Sequence, residues 1–192
     1  MQILILFSLF LISSCGVQSI PTQKNAVEAA FAEVSNQYKR RSDLIPNLVQ
    51  VVKGNASHEK DTLEAVISAR AKAIQMTVDI SKANPQQILE YQKAQSGLSQ
   101  ALGRLMVVSE RYPELKANQG FKDLQIQLEG TENRIAIARR RYSEQIQVFN
   151  NLVTVPPTSI TNFLVYKYEK IPQWDVDESE REKIKDAPEV KF

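Results

Sequence analysis

From Val27 to Val153 apolar side chains recur every third or fourth residue, and no alternating, strand-like stretch competes with that period. A helix turns once in 3.6 residues, so this spacing lines one face with apolar groups that only another packed element can cover. The first stripe is Val27, Phe31, Val34, Tyr38, Ile45, Leu48 and Val52. A second helix, from about His58 to Val78, carries Leu63, Val66, Ile67, Ile74 and Val78. Asn84-Pro85-Gln86-Gln87 has the residue order of a helix start, Asn as cap, Pro in the first turn and Gln behind it. It opens a third stripe of Ile88, Tyr91, Leu98, Leu102, Leu105 and Tyr112. Asn118 caps the fourth, which runs through Phe121, Leu124, Leu128, Ile135, Ala138, Tyr142, Phe149 and Leu152.

Four long helices joined by short loops predict an all-α fold, an antiparallel up-down bundle with coiled-coil-like packing. Gly54 is a weak break, so the first two helices are read either as separate or as one kinked rod. Pro156-Pro157 ends the bundle, SITNFLVYKYEK forms a short C-terminal helix folding back on it, and residues 169–192 read as a charged, mobile tail. The bundle itself is assigned to 26–168.

The N-terminus predicts where the chain sits. MQILILFSLFLISSC holds apolar runs at Ile3–Phe7 and Leu9–Ile12, about half of the ~20 residues needed to span a bilayer, so 1–14 reads as a signal peptide. Its n-region has no Lys or Arg, a departure from the usual pattern. Ile12-Ser13-Ser14-Cys15 matches a bacterial lipobox, with small residues that admit a peptidase and a thiol that receives diacylglycerol. Cys15 is the sole cysteine, and a lone cysteine forms no internal disulfide. The expected mature chain is a lipoprotein anchored through Cys15 by fatty acyl chains such as palmitate, two or three of which suffice for stable anchoring. Residues 15–25 then form a polar tether. Gly16 in place of an Asp favours the outer membrane, facing the periplasm, over the inner one in a cell with two membranes.

A net charge of +2 is too small for a dedicated nucleic-acid binder. The basic clusters Lys39-Arg40-Arg41 and Arg139-Arg140-Arg141 lie inside long helices, spread around the circumference, and read as solvated faces paired with acids such as Glu33 or Glu144. His58-Glu59, Glu129 and Glu132 have the side chains of metal ligands, but a di-iron bundle needs two Glu-x-x-His pairs and the chain has one histidine. No nucleophile elbow or phosphate-cradling glycine loop occurs, so no catalytic residue, metal site or cofactor is assigned.

The unusual residues are those that interrupt the stripes. Arg41, Arg70, Gln95 and Thr131 each take an inward position, and Glu129, Glu132 and Asn133 cluster on the fourth helix. A buried arginine must be paired, so Arg41 and Arg70 are expected to engage Glu129 or Glu132 in an interhelical network. Such a network either fixes helix register or lines a small binding site. Pro46 removes a backbone donor and predicts a kink near Ser42–Asp43, or else a helix that restarts there with Asp43 as its cap.

Several strings resemble the LemA family: KRR-x-DLIPNLV at 39–49, VKG-x-A-x-HE at 52–59, TLEAV-x-x-AR at 62–70, VVSERYPELKAN at 107–118 and F-x-x-LQ-x-QLEGTENRIAIAR at 121–139. The resemblance extends to the PEVKF ending. It implies a mostly antiparallel helical bundle on the outer side of a membrane and supplies no enzymatic activity. Many members carry an N-terminal transmembrane helix where this chain has a lipobox leader.

These readings combine into a lipid-anchored envelope protein that is not an enzyme and that scaffolds or recruits another envelope protein. The stripes leave room for self-association without specifying it. The alternative is an envelope protein that binds a small ligand or metal in the polar layer of its core.

Overall fold

The computed structural model describes the backbone of residues 2–55, 59–80 and 82–174, and the side chains of 17–54, 59–80 and 82–174. The side chain of Cys15, His58, and residues 175–192 of the tail lie outside the described residues. The protein is an all-α bundle. Its long helices are α1 (Gln2–Asn55), α2 (Lys60–Gln75), α3 (Pro85–Ser109) and, after the short α4 (Pro113–Ala117), α5 (Gln119–Thr154). A last turn, α6 (Thr158–Thr161), runs into a wider π-type turn at Asn162–Tyr166.

The fold divides into two compact units. The first comprises Met1–Arg41, Asp79–Pro85 and Gln127–Gln173. Its core is the seam between the α1 and α5 stripes, where Val27, Phe31, Val34 and Tyr38 are buried with Ile135, Tyr142, Ile146 and Phe149. Contacts in this unit run in opposite senses along the two helices. Gln23 donates to Gln145 at 2.9 Å, the rings of Phe31 and Tyr142 lie 5.4 Å apart, and Arg41 meets Glu132. As numbers rise on α1 they fall on α5, which is antiparallel packing.

The second unit comprises, among the described residues, those of Ser42–Val78 and Gln86–Ile126 together with Trp174. Leu48, Val52, Val66, Leu98, Leu105, Leu115 and Phe121 form its core. Here α2 and α3 are antiparallel: Glu59, just before α2, meets Tyr112, just past α3, while Ala73 meets Gln95. Asn118 caps α5 as its sequence position predicts, its Oδ1 accepting from the Phe121 amide at 3.1 Å.

Three elements depart from the sequence reading. Residues 17–25, read as a tether, are helical and part of α1. Their polar composition hides Ile20, which is fully buried seven residues before Val27 and therefore on the same face. In α2 the buried face is Leu63, Val66 and Ala73, whereas Ile67 and Ile74 point outward. The difference was invisible because apolar residues occupy both faces, Leu63, Val66 and Ala73 on the buried one and Ile67 and Ile74 one position on, on the outer one. The start of the tail is also held: Asn150 Nδ2 donates to the Ile171 carbonyl and its Oδ1 accepts from the Ile171 amide, both at 2.9 Å.

Candidate functional site

Most of the polar residues that interrupt the stripes sit where the stripes put them. Arg41, Gln95 and Thr131 are buried, and Arg70 is half-buried. In the first unit Arg41 is the largest fully buried side chain. Its guanidinium carbon lies 4.8 Å from the centre of the Tyr38 ring, and its Nη1 donates to Glu132 Oε1 at 2.9 Å. The pair is asymmetric. The Arg41 side chain is 0% exposed and that of Glu132 is 44%, so the carboxylate brings hydration to a charge that would otherwise be dry. Thr131, beside Glu132, turns its hydroxyl back to the Gln127 carbonyl at 2.7 Å and so adds no polar link across helices there. Glu129 and Asn133 are exposed on α5.

In the second unit Arg70 reaches no carboxylate among the described residues. Its Nε donates to the backbone carbonyl of Ser42 at 2.9 Å. That carbonyl would ordinarily receive the amide of residue 46, four positions on, but residue 46 is proline and has none. α1 passes through Asp43 and Pro46 as one helix, and Asp43 is exposed rather than capping a new one. Ser42 is buried, out of reach of bulk water, so Arg70 replaces the missing donor. Gln95 has a matching role. Its Nε2 donates to the Ala73 carbonyl at 3.2 Å, and Ala73 lies in the last turn of α2, where carbonyls have no helical partner.

The same device recurs in the first unit. Pro21 leaves the Val17 carbonyl without its donor, and the Tyr166 hydroxyl supplies one at 2.6 Å. Arg70, Gln95 and Tyr166 thus serve backbone carbonyls that a proline or a helix end leaves without a donor. Sequence reasoning sought an acid for Arg70, although counting back four residues from Pro46 would have pointed to Ser42.

A third polar cluster was missed. Glu59 Oε1 accepts from the Tyr112 hydroxyl at 2.7 Å and from Arg111 Nη2 at 3.3 Å. The hydrogen bond to the carboxylate, with smaller contributions from desolvation and charge repulsion, holds the Tyr112 phenol above its ordinary pKa of 10. Burial does the same to Tyr142. The bond joins the HE string at 58–59 to the ERY string at 110–112. On the outer surface, Arg140 pairs with Glu144 at 3.0 Å, as a solvated basic face should.

Among the described residues no three of His, Cys, Asp and Glu converge as a metal centre. Among them, too, no helix is long and apolar enough to cross a membrane.

Comparison with known proteins covers the same ground. The chain is 22% identical to the protein LemA of Metamycoplasma hominis over 190 residues, covering 91% of this chain and 83% of that protein. Two magnetosome proteins of Paramagnetospirillum magneticum, MamQ 1 and MamQ 2, are each 34% identical over 71 residues, 37% of this chain but only 26% of theirs. The LemA family pattern matches residues 30–192. A match of that extent takes in both ends of the Arg41–Glu132, Arg70–Ser42 and Glu59–Tyr112 contacts, and the chain belongs to the LemA family.

Proposed function

We propose that this protein is a lipid-anchored component of the cell envelope whose helical bundle serves, without enzymatic activity, as a docking module for another envelope protein. The observation that carries the reading is the outer face of α2. Ile67 and Ile74 are 50% and 48% exposed, with the exposed Ala71 between them. Spacings of four and three put all three on one stripe, a narrow apolar seam of the kind a partner helix covers. The inward polar groups favour the same reading, because Arg41, Arg70 and Gln95 already bond to protein atoms. Membership of a family of membrane-associated envelope proteins supports the location. The lipobox ending at Cys15 supports the means of anchoring.

Two experiments test this. A photo-crosslinking residue at Ala71 is expected to capture an envelope protein in cells, and the adduct should vanish in Ile67→Asp/Ile74→Asp. Capture that persists unchanged in that variant would remove the docking seam. For the anchor, Cys15→Ala should lose the diacylglyceryl mass and leave the membrane fraction; retention with palmitate still incorporated would refute it.

A further inference from the structure

Among the described residues, the end of the first unit that carries Val17 and the turn after α6 bears the most exposed apolar side chains of that unit. Phe163, Leu164 and Val165 are 76%, 68% and 59% exposed, with Ile160 and Val155 exposed nearby in sequence. Single exposed apolar residues are ordinary, but a contiguous group of this kind marks a surface that meets something apolar.

This group is rigidly displayed. Asn162 is buried, its Nδ2 donating to the Val153 and Tyr168 carbonyls at 3.4 and 2.9 Å and its Oδ1 accepting from the Tyr168 amide at 3.0 Å. Lys167, in the left-handed conformation at φ 56°, ends the turn and reverses the chain. The Tyr166 hydroxyl then ties the turn to the Val17 carbonyl on α1. Cys15 stands two positions before Val17 in the sequence, about 3 Å along a helix at 1.5 Å per residue.

We infer that the Phe163-Leu164-Val165 turn inserts into the lipid bilayer beside the anchor, giving the protein a second, non-covalent membrane contact. The inference rests on the proposed lipidation for its geometry, since an acyl chain at Cys15 brings the bilayer to this end of the bundle. The flanking chemistry fits an interface. Tyr166 and Tyr168 stack at 5.5 Å, amphipathic rings of the type that settle at headgroup depth. Lys24 lies 4.8 Å over the Tyr168 ring, and Lys167 and Lys170 are exposed, cations suited to anionic headgroups. Between 155 and 174 Glu169 is the only acid. Two anchoring contacts would also fix the orientation of the helices relative to the membrane, which a single flexible lipid link does not.

The test uses the full mature protein, purified in detergent and reconstituted into phosphatidylethanolamine–phosphatidylglycerol vesicles. Leu164→Cys carries an environment-sensitive fluorophore, and Ile137→Cys, an exposed site on α5, is the control. The label at 164 is expected to shift to the blue, to be quenched by doxyl lipids and to resist aqueous iodide several-fold better than the label at 137. Mass spectrometry of the N-terminal peptide reads the anchor separately. An acylated protein whose label at 164 is as open to iodide as that at 137 overturns the insertion while leaving the anchor intact. If Cys15 proves unmodified, Cys15→Ser/Leu164→Cys added to the same vesicles decides the matter alone: a protected label supports insertion without an acyl chain, and an aqueous one overturns it.

Discussion

Arg70 donates its Nε to the carbonyl of Ser42 at 2.9 Å, the carbonyl that Pro46 deprives of its helical donor. A breaker on one helix and a charge on the face of another are therefore one arrangement. The proline is tolerated because a side chain from α2 supplies what its ring lacks.

Arg70→Met should destabilise the fold by about 1–3 kcal/mol, the usual cost of leaving a buried backbone acceptor unsatisfied. Pro46→Ala restores an amide at that position, so Arg70→Met should cost distinctly less in the Pro46→Ala background. A double-mutant cycle by chemical denaturation measures the difference. Equal costs in both backgrounds would show that Arg70 acts through something other than the orphaned carbonyl.

Tyr166→Phe makes a contrasting case. It also removes the donor to a carbonyl freed by proline, but Val17 is exposed and water can take the place of the hydroxyl. Its effect on stability is expected to stay within about 0.5 kcal/mol. A loss as large as that of Arg70→Met would mean that burial is not what separates the two sites.

Glu132→Gln keeps an acceptor for Arg41 but removes the charge. With the arginine fully buried and the acid partly solvated, the expected loss is about 1–2 kcal/mol, below the range for a fully buried pair. At this chain length that lowers Tm by about 2–4 °C per kcal/mol, which calorimetry resolves. An unchanged Tm would strip the pair of any structural role.

The two displaced tyrosines bear on alkaline stability. Tyr112 and Tyr142 both hold their protons more tightly when folded than in the unfolded chain, where a phenol titrates near 10. The unfolded chain therefore loses these protons first. Their contribution is fully present below pH 10 and falls as the pH rises above it. Absorbance at 295 nm should show a late-ionising fraction among the six tyrosines that diminishes in Tyr112→Phe. A late-ionising fraction left unchanged by Tyr112→Phe would contradict the Glu59 hydrogen bond.

Much of the architecture was written in local order. The three–four spacing of Phe31, Tyr38, Tyr142 and Phe149, Asn118 before Phe121 and Pro85 at a helix start each depend on a few neighbours, so they are readable from the chain alone. Arg41 as a buried charge with Glu129 or Glu132 as its acid follows from the same periodicity, because an inward arginine demands a partner, and the structure selects Glu132. Other features required the partner helices to be in place. Which face α2 buries, the burial of Ile20 in a polar stretch, and the meeting of Glu59 with Tyr112 depend on residues distant in sequence. The clearest division lies at Pro46: the chain alone dictates that Ser42 loses its donor, since that is a rule of helix geometry. Only tertiary packing decides that Arg70, 28 residues away, replaces it.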